Sequence, residues 1–226
     1  MRFDDQYRED VTLLDGTRAR LRLVRPDDKQ LLARSFAELS PAGRFLRFFS
    51  HKESLTAAEL AYFTEMDQIS HFAVGAVSLD EAGDEDEGLG VARFAAMPGQ
   101  PEIAEAAVAV ADRMQKKGLG RLLFERLVDA ALERGVARFR CEVLSANEGM
   151  RGLLERIAPG AQTEREGDVV MLEWPLDPDP KDRSNPLYRL LTMAAEGLVV
   201  VQAMLFGHEK KTDATAPAVD KKDGDA

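Results

Sequence analysis

The stretch from Ala104 to Leu127, AEAAVAVADRMQKKGLGRLLFERL, changes its hydrophobic period halfway along. Up to Ala111 it is a run of small apolar residues suited to a strand. From Gly118 onward Leu119, Leu122, Leu123, Leu127, Ala130 and Ala131 fall on one helical stripe, which Gly135 stops. A strand that feeds an amphipathic helix through a short turn places the chain in the mixed α/β class.

The flanking sequence extends this reading. Asp15-Gly16 lies between two extended patterns, a hairpin signal, and Arg18, Arg20 and Arg22 alternate with Ala19, Leu21 and Leu23. Arg25-Pro26-Asp27-Asp28 starts a helix through Ala37. Thr56 and Glu59 form a capping box that opens a helix over 57–66. Strands follow over 71–79, 89–97 and 102–111, with EAGDEDEG (81–88) as a solvated acidic turn. The helix over 118–134 precedes a strand over 136–144, a short helix over 148–157 and a last strand over 169–174.

A chain of 226 residues holds one domain and an appendage. The domain spans 1–174, with its N-terminal hairpin at about 10–24. Pro175, Pro178, Pro180 and Pro186 mark a linker over 175–186. Asn185-Pro186 then starts an amphipathic helix over 187–207, with Leu187, Leu190, Leu191, Ala194, Leu198, Val201 and Leu205 at helical spacing. Arg189, Thr192 and Glu196 make that helix a poor membrane span, and the lack of a lysine-rich face weighs against a membrane surface, so docking on its own domain or pairing with a second copy or a partner through 187–206 is expected. The tail over 208–226 is polar and reads as disordered.

Charge and composition exclude several functions. A net charge of −10 argues against nucleic acid, which rewards a basic face. The single cysteine, Cys141, allows no intramolecular disulfide, fits a reducing compartment and reads as a buried inert thiol. His51, His71 and His208 have no partners at metal-ligand spacing, so no metal is expected. There is no signal-peptide pattern and no apolar run long enough to span a bilayer, so a cytoplasmic location is expected.

The chemistry concentrates where the helix over 118–134 begins. Helix starts expose unpaired N–H groups at the positive end of the macrodipole. Gly118 and Gly120 remove the side chains that would hold a ligand off the backbone, and Lys116 and Lys117 add charge at the same end. This is an anion cradle suited to a pyrophosphate, with neither P-loop nor dinucleotide-fingerprint spacing. By itself the glycine pair also fits a tight strand-to-helix turn. The alanines at 104, 106, 107, 109 and 111 go against strand propensity. Either a ligand lies along this strand or the strand is crowded beneath helices.

The segment from Gln115 to Gly120, QKKGLG, after an apolar strand and opening a helix, resembles the acetyl-CoA pyrophosphate loop of the GNAT superfamily of N-acetyltransferases, whose pattern is Q/R-x-x-G-x-G/A. SANEGMRGLLERI resembles the family's second CoA-contacting motif, with Asn147 in the asparagine position. More narrowly, LSPAGRFLRFF, LTAAELAYFTEMD, HFAV and AEAAVAV resemble the GNAT domain of Pat-type bacterial protein lysine acetyltransferases. Those enzymes often carry a further nucleotide-sensing or acyl-CoA-synthetase-like domain, for which this chain has no room. The resemblance implies a central, mostly antiparallel twisted sheet flanked by helices. It implies acetyl-CoA as co-substrate and a protein lysine or a small amine as acceptor. It implies that Val108, Ala109 and Val110 offer backbone groups to the pantetheine arm. Gln115, Lys116, Lys117, Gly118, Leu119 and Gly120 would hold the pyrophosphate with Arg121, and Asn147 would contact the CoA arm. Glu105 stands where Pat-type enzymes carry their general base.

The chemistry gives Glu105 independent support. A lysine amine is mostly protonated at neutral pH, and attack on a thioester needs the free amine. A carboxylate on the cofactor strand, raised in pKa by burial, would remove that proton, while strand N–H groups polarise the thioester carbonyl. Glu105 also reads as a strand-face glutamate in water or in a salt bridge, and Glu102 and Glu142 are competing bases. Many family members carry a tyrosine after the asparagine motif as acid for the thiolate. Leu154 stands there, and the tyrosines Tyr7, Tyr62 and Tyr188 are distant in sequence. Phe45, Phe48 and Phe49 with Arg44 and Arg47 read as core packing or as a segment facing the acceptor. The alternatives to a lysine acetyltransferase are a small-amine acetyltransferase and a non-catalytic acetyl-CoA sensor.

Overall fold

The structure, a computed structural model, describes residues 1–39, 53–144, 162–166, 169–176 and 201–202. The expected short helix over 148–157, Asn147, Leu154, Arg44 to Phe49, His51, His208, the linker from 177 on and the tail lie outside the described residues.

Strands β1 (Arg8–Thr12) and β2 (Arg18–Leu23) form the hairpin that Asp15-Gly16 announces, with Gly16 in the left-handed region at φ 87°. A single 3-10 turn, Pro26–Asp28, leads into α1 (Lys29–Ala37). Helix α2 (Ala57–Thr64) starts at its capping box. The Glu59 amide donates to the Thr56 hydroxyl at 3.3 Å, and the Thr56 amide donates to the Glu59 carboxylate at 2.8 Å. Strands β3 (His71–Leu79), β4 (Glu85–Met97) and β5 (Gln100–Val110) make the meander. Helix α3 (Leu119–Glu133) crosses over to β6 (Arg138–Leu144), and β7 (Gln162–Glu166) and β8 (Val169–Pro175) close the sheet.

The strand order is β1-β2-β3-β4-β5-β6-β8-β7, and every pair along it is antiparallel except β5–β6. One face carries α3. Leu119, Leu123 and Leu127 are fully buried there against Phe72, Phe94, Phe139, Ala104 and Ala106. Each such leucine contributes about 1.5–3 kcal/mol through burial. The other face carries α1 and α2. Gly88 lets α1 sit down on β4, because a Cβ there would collide with the Ser35 hydroxyl.

Some sequence expectations need correction. The acidic segment is a turn only up to Asp84, and Glu85–Gly88 belong to β4. Its acids are not all solvated. Buried Arg22 donates to Glu85 at 2.7 Å and in bidentate fashion to Asp28 at 2.7 and 2.8 Å, and Glu87 pairs with Arg113. These cations pull the segment onto the sheet. β7 had no expected counterpart. Pro175 ends β8 rather than beginning a linker, and the Leu176 amide still bonds Ala137. Within the expected helix over 187–207, Val201–Gln202 form a strand, β9, on β6. The run Val199-Val200-Val201 is β-branched, and a free edge of β6 supplies hydrogen-bond partners that a helix face would not.

Candidate active site

The site begins where the one parallel pair of strands comes apart. β5 and β6 are in register only over Ile103–Arg138, Ala104–Phe139 and Glu105–Arg140. Beyond that point β5 runs on to Val110 and β6 to Leu144 without meeting. The result is a V-shaped cleft with Glu105 at its apex, half-buried, on the last paired rung. β5 keeps its β4 partners from Gly90 to Ala96, so the edge of Ala106–Val110 facing the cleft carries backbone groups that β6 does not take. The alanines make that edge approachable. Ala106 and Val110 turn into the α3 core, and Ala107 and Ala109 face the α1–α2 side.

β8 pairs β6 along its whole length, so β9, which pairs Glu142 and Val143, sits on the other edge of β6, inside the cleft. β9 pairs with the β6 wall and also lies near β5, so a ligand along β5 would share the cleft with it.

At the open end of the cleft, the 3-10 turn Asp112–Met114 leads to Gln115 and then to α3. Lys116 and Gly118 have φ of 61° and 85°, and residues of alternating hand turn successive N–H groups toward one concavity. Among the described residues no acceptor takes the N–H groups of Lys116 through Gly120. The Leu119 side chain is fully buried in the core, so this residue offers its N–H alone. The flanking charges are less available than the sequence suggests. Lys117 pairs with Asp15 at 2.8 Å, and the lysine holds that carboxyl down to about 2. Arg121 pairs with Glu125 at 2.9 Å, and the Gln115 amide donates to Asp112 at 3.3 Å. Lys116 is exposed. The cradle is a backbone device, and it fits a diphosphate.

The residues around Glu105 were only partly legible in advance. On the sheet it is flanked by Ala95 of β4 and Arg140 of β6, and Arg140 is held by Glu173 at 2.8 Å. Glu102 is exposed at the strand's start. Glu142 lies on β6, with its side chain outside the described residues. Arg93, opposite Ala107 and so diagonal to Glu105, had not been singled out. It is only 6% exposed, and its guanidinium lies over the rings of Tyr62 at 5.2 Å and Phe63 at 4.7 Å. Burial brings it down to about 10, opposed by Tyr62 and Glu105, so it remains a cation at neutral pH. A lone charge in the apolar run LGVARFAAM marks the position as unusual without saying what it meets. Tyr62, remote in sequence, packs against His71 with ring centroids 4.8 Å apart and the planes tilted by 39°. Burial, and then the nearby Arg93 charge, push His71 down to about 4, so it is neutral. It reads as a packed structural histidine.

Among the described residues no group of three or more His, Cys, Asp or Glu could hold a metal ion, and no helix is long and apolar enough to cross a membrane.

The profile of the acetyltransferase (GNAT) family matches residues 41–158. Acetyltransferase Pat of Mycolicibacterium smegmatis is 33% identical over 166 residues, covering 70% of this chain and 46% of that protein. The chain thus spans about half the length of that relative. An acetyltransferase of Pseudomonas aeruginosa is 30% identical over 142 residues, covering 63% of this chain and 75% of that one. The crystal structure of the GNAT domain of S. lividans PAT superposes with a TM-score of 0.63 at 30% identity. The match covers 77% of this chain and 99% of that one.

Proposed function

The chain belongs to the acetyltransferase (GNAT) family, and from that premise we propose that it transfers an acetyl group from acetyl-CoA to an amine, a protein lysine first, with Glu105 as general base. The observation that carries the reading is the position of Glu105 at the apex of a cleft whose mouth is a backbone anion cradle.

Bound acetyl-CoA supplies an acyl group activated as a thioester. The N–H groups from Lys116 to Gly120 hold the pyrophosphate, with Gln115 and Arg121 beside them. The cleft edge at Val108, Ala109 and Val110 holds the pantetheine arm, opposite β9. Asn147 contacts the same arm, as the resemblance implies. Glu105 accepts the proton of the incoming ammonium, so that the neutral nitrogen attacks. The amide C–N bond forms, the C–S bond breaks, and the proton shed by nitrogen ends on sulfur. A thiol pKa near 8.5 lets the thiolate leave without a dedicated acid, which suits Leu154 in the usual tyrosine position. Lysine as acceptor is supported by the likeness to Pat, and a small amine is the other acceptor class.

β9 inside the cleft favours one second reading, an acetyl-CoA sensor whose C-terminal segment reports occupancy. One experiment separates the two. CoA release is followed with lysine peptides and small amines, for the wild type and Glu105→Gln. The enzyme reading expects a loss of about 100-fold or more in turnover with CoA affinity kept. Tight CoA binding with no release above background for any acceptor would leave the sensor. Equal turnover in both proteins would remove Glu105 from the chemistry.

A further inference from the structure

Between α1, α2 and the sheet lies a cavity of ≈ 190 Å³, which shares β5 as a wall with the cleft. Its lining is mainly apolar, chiefly Leu31, Leu32, Phe36, Phe63, Ala73 and Ala107, and Ser35, Asp28 and two cations, Arg22 and Arg93, also reach it. Arg22 is saturated by Asp28 and Glu85. Arg93 is not: the Tyr62 side chain lends it support, but among the described residues no acceptor meets any of its three guanidinium nitrogens at good hydrogen-bond geometry, though the residue is 6% exposed. The rings of Tyr62 and Phe63 and the charge of Glu105 offset the burial of a cation, but a ring face does not replace oxygen acceptors on five N–H donors. A buried guanidinium left without acceptors is a rare and costly arrangement in a packed domain.

We propose that this cavity binds a carboxylate carried on a short aliphatic chain, with Arg93 receiving the carboxylate. A planar guanidinium matches a carboxylate fork. The apolar walls match the chain, and among the described residues the one cation there without a carboxylate partner suits one negative charge better than a phosphoester's two. Arg93 stands opposite Ala107, two residues from Glu105 along β5, so such a ligand reaches the apex of the cleft. The carboxylate belongs either to the acyl group of a dicarboxylic acyl-CoA or to the acceptor amine. That last step rests on the acyl-transfer reading; the binding site does not.

The test has two parts. In the first, the full chain is titrated by calorimetry at neutral pH with butyrate and with its uncharged isostere butyramide, for the wild type, Arg93→Met and Arg93→Lys. Butyrate should bind at least about tenfold more tightly than butyramide, as hydrogen bonds to a charged group warrant. The preference should vanish in Arg93→Met and fall in Arg93→Lys, which keeps the charge without the fork. Arg93→Met relieves a buried cation, so it should melt no lower than the wild type, and this checks the fold. Equal binding of the two probes, or a preference that survives in Arg93→Met, overturns the proposal. In the second part, transfer is compared for succinyl-CoA against butyryl-CoA, and for lysine against lysinamide with acetyl-CoA. An Arg93-dependent preference in the first pair assigns the carboxylate to the donor, and in the second pair to the acceptor. Turnover without such a preference in either pair overturns the link to the reaction. Butyrate binding without turnover of any pair upholds the cavity and fails the transferase reading instead.

Discussion

The two faces of the sheet are built from the same strands and obey different rules. Beneath α3, alternate residues of β3 to β6 meet Leu119, Leu123, Leu127 and Phe124 in a dry, close-packed layer. Beneath α1 and α2 the other residues of the same strands present Arg22, His71, Arg93 and Glu105, and the space is not filled. One face contributes stability by removing apolar area from water. The other spends part of that stability on buried polar groups, which is where strained or unsatisfied arrangements collect in functional proteins.

The sharpest way to break this contrast is to perturb each face once. Asp28→Ala removes the bidentate partner of Arg22, whose side chain is 4% exposed, and leaves that buried cation to Glu85 alone. The expected cost is about 3–5 kcal/mol in urea denaturation, for the loss of two hydrogen bonds between charged groups. Leu127→Ala on the opposite face should cost about 2–5 kcal/mol by leaving a cavity. It should leave turnover per folded molecule unchanged, whereas Asp28→Ala should lower it, because Arg22 joins β2, the entry to α1 and β4 around the cavity. Equal effects on turnover would show that the faces are not functionally distinct.

A smaller effect is expected at the mouth of the cleft. Gly118 holds φ 85°, and a Cβ there would meet Leu14 at only 3.4 Å, so space is not the obstacle and backbone strain is. Gly118→Ala should cost roughly 1–2 kcal/mol of stability, the left-handed penalty for a residue with a Cβ. CoA affinity, measured by calorimetry, should fall about tenfold if the loop relaxes, since the N–H groups then diverge. Unchanged affinity would mean that the cradle does not hold the diphosphate.

How much of this was readable from the chain depends on whether the signal is local. Asp15-Gly16, the Thr56–Glu59 box and Gly118 each encode a turn or cap through their own backbone preferences, and all three sit where the pattern put them. Arg93 gave no such signal, because its meaning comes from Tyr62 and Phe63 on a helix about thirty residues earlier. Lys117, expected at the pyrophosphate, is paired with Asp15 of the hairpin tip, a partner that no local pattern announces. The strand at Val201–Gln202 depends on an open edge of β6 that exists only because β5 turns away. Pattern therefore gave most elements other than β7 and β9, and the resemblance pointed to the candidate base, while the cavity and its charge arise from packing between distant segments.

The faintest test of the contrast is acid. On the α3 side, Glu9 accepts from Arg126 at 2.7 and 2.6 Å, and this pairing lowers its carboxyl to about 2 from an ordinary 4.5. A depressed carboxylate adds stability that is complete above the unfolded value and is lost as pH falls from about 4.5 toward 2. On the cavity side, burial and then Arg93 depress His71 to about 4 from 6.5, with Asp67 opposing. Between those two values the unfolded chain binds a proton that the folded chain refuses, so stability falls as pH drops through that window. The windows barely overlap, so each face has its own titration. Urea midpoints taken between pH 7 and 4.5 should decline in the wild type and flatten in His71→Asn, whereas Glu9→Gln should keep the slope in this range. If His71→Asn retained the full decline, the acid sensitivity would belong elsewhere, and the cavity face would not store it.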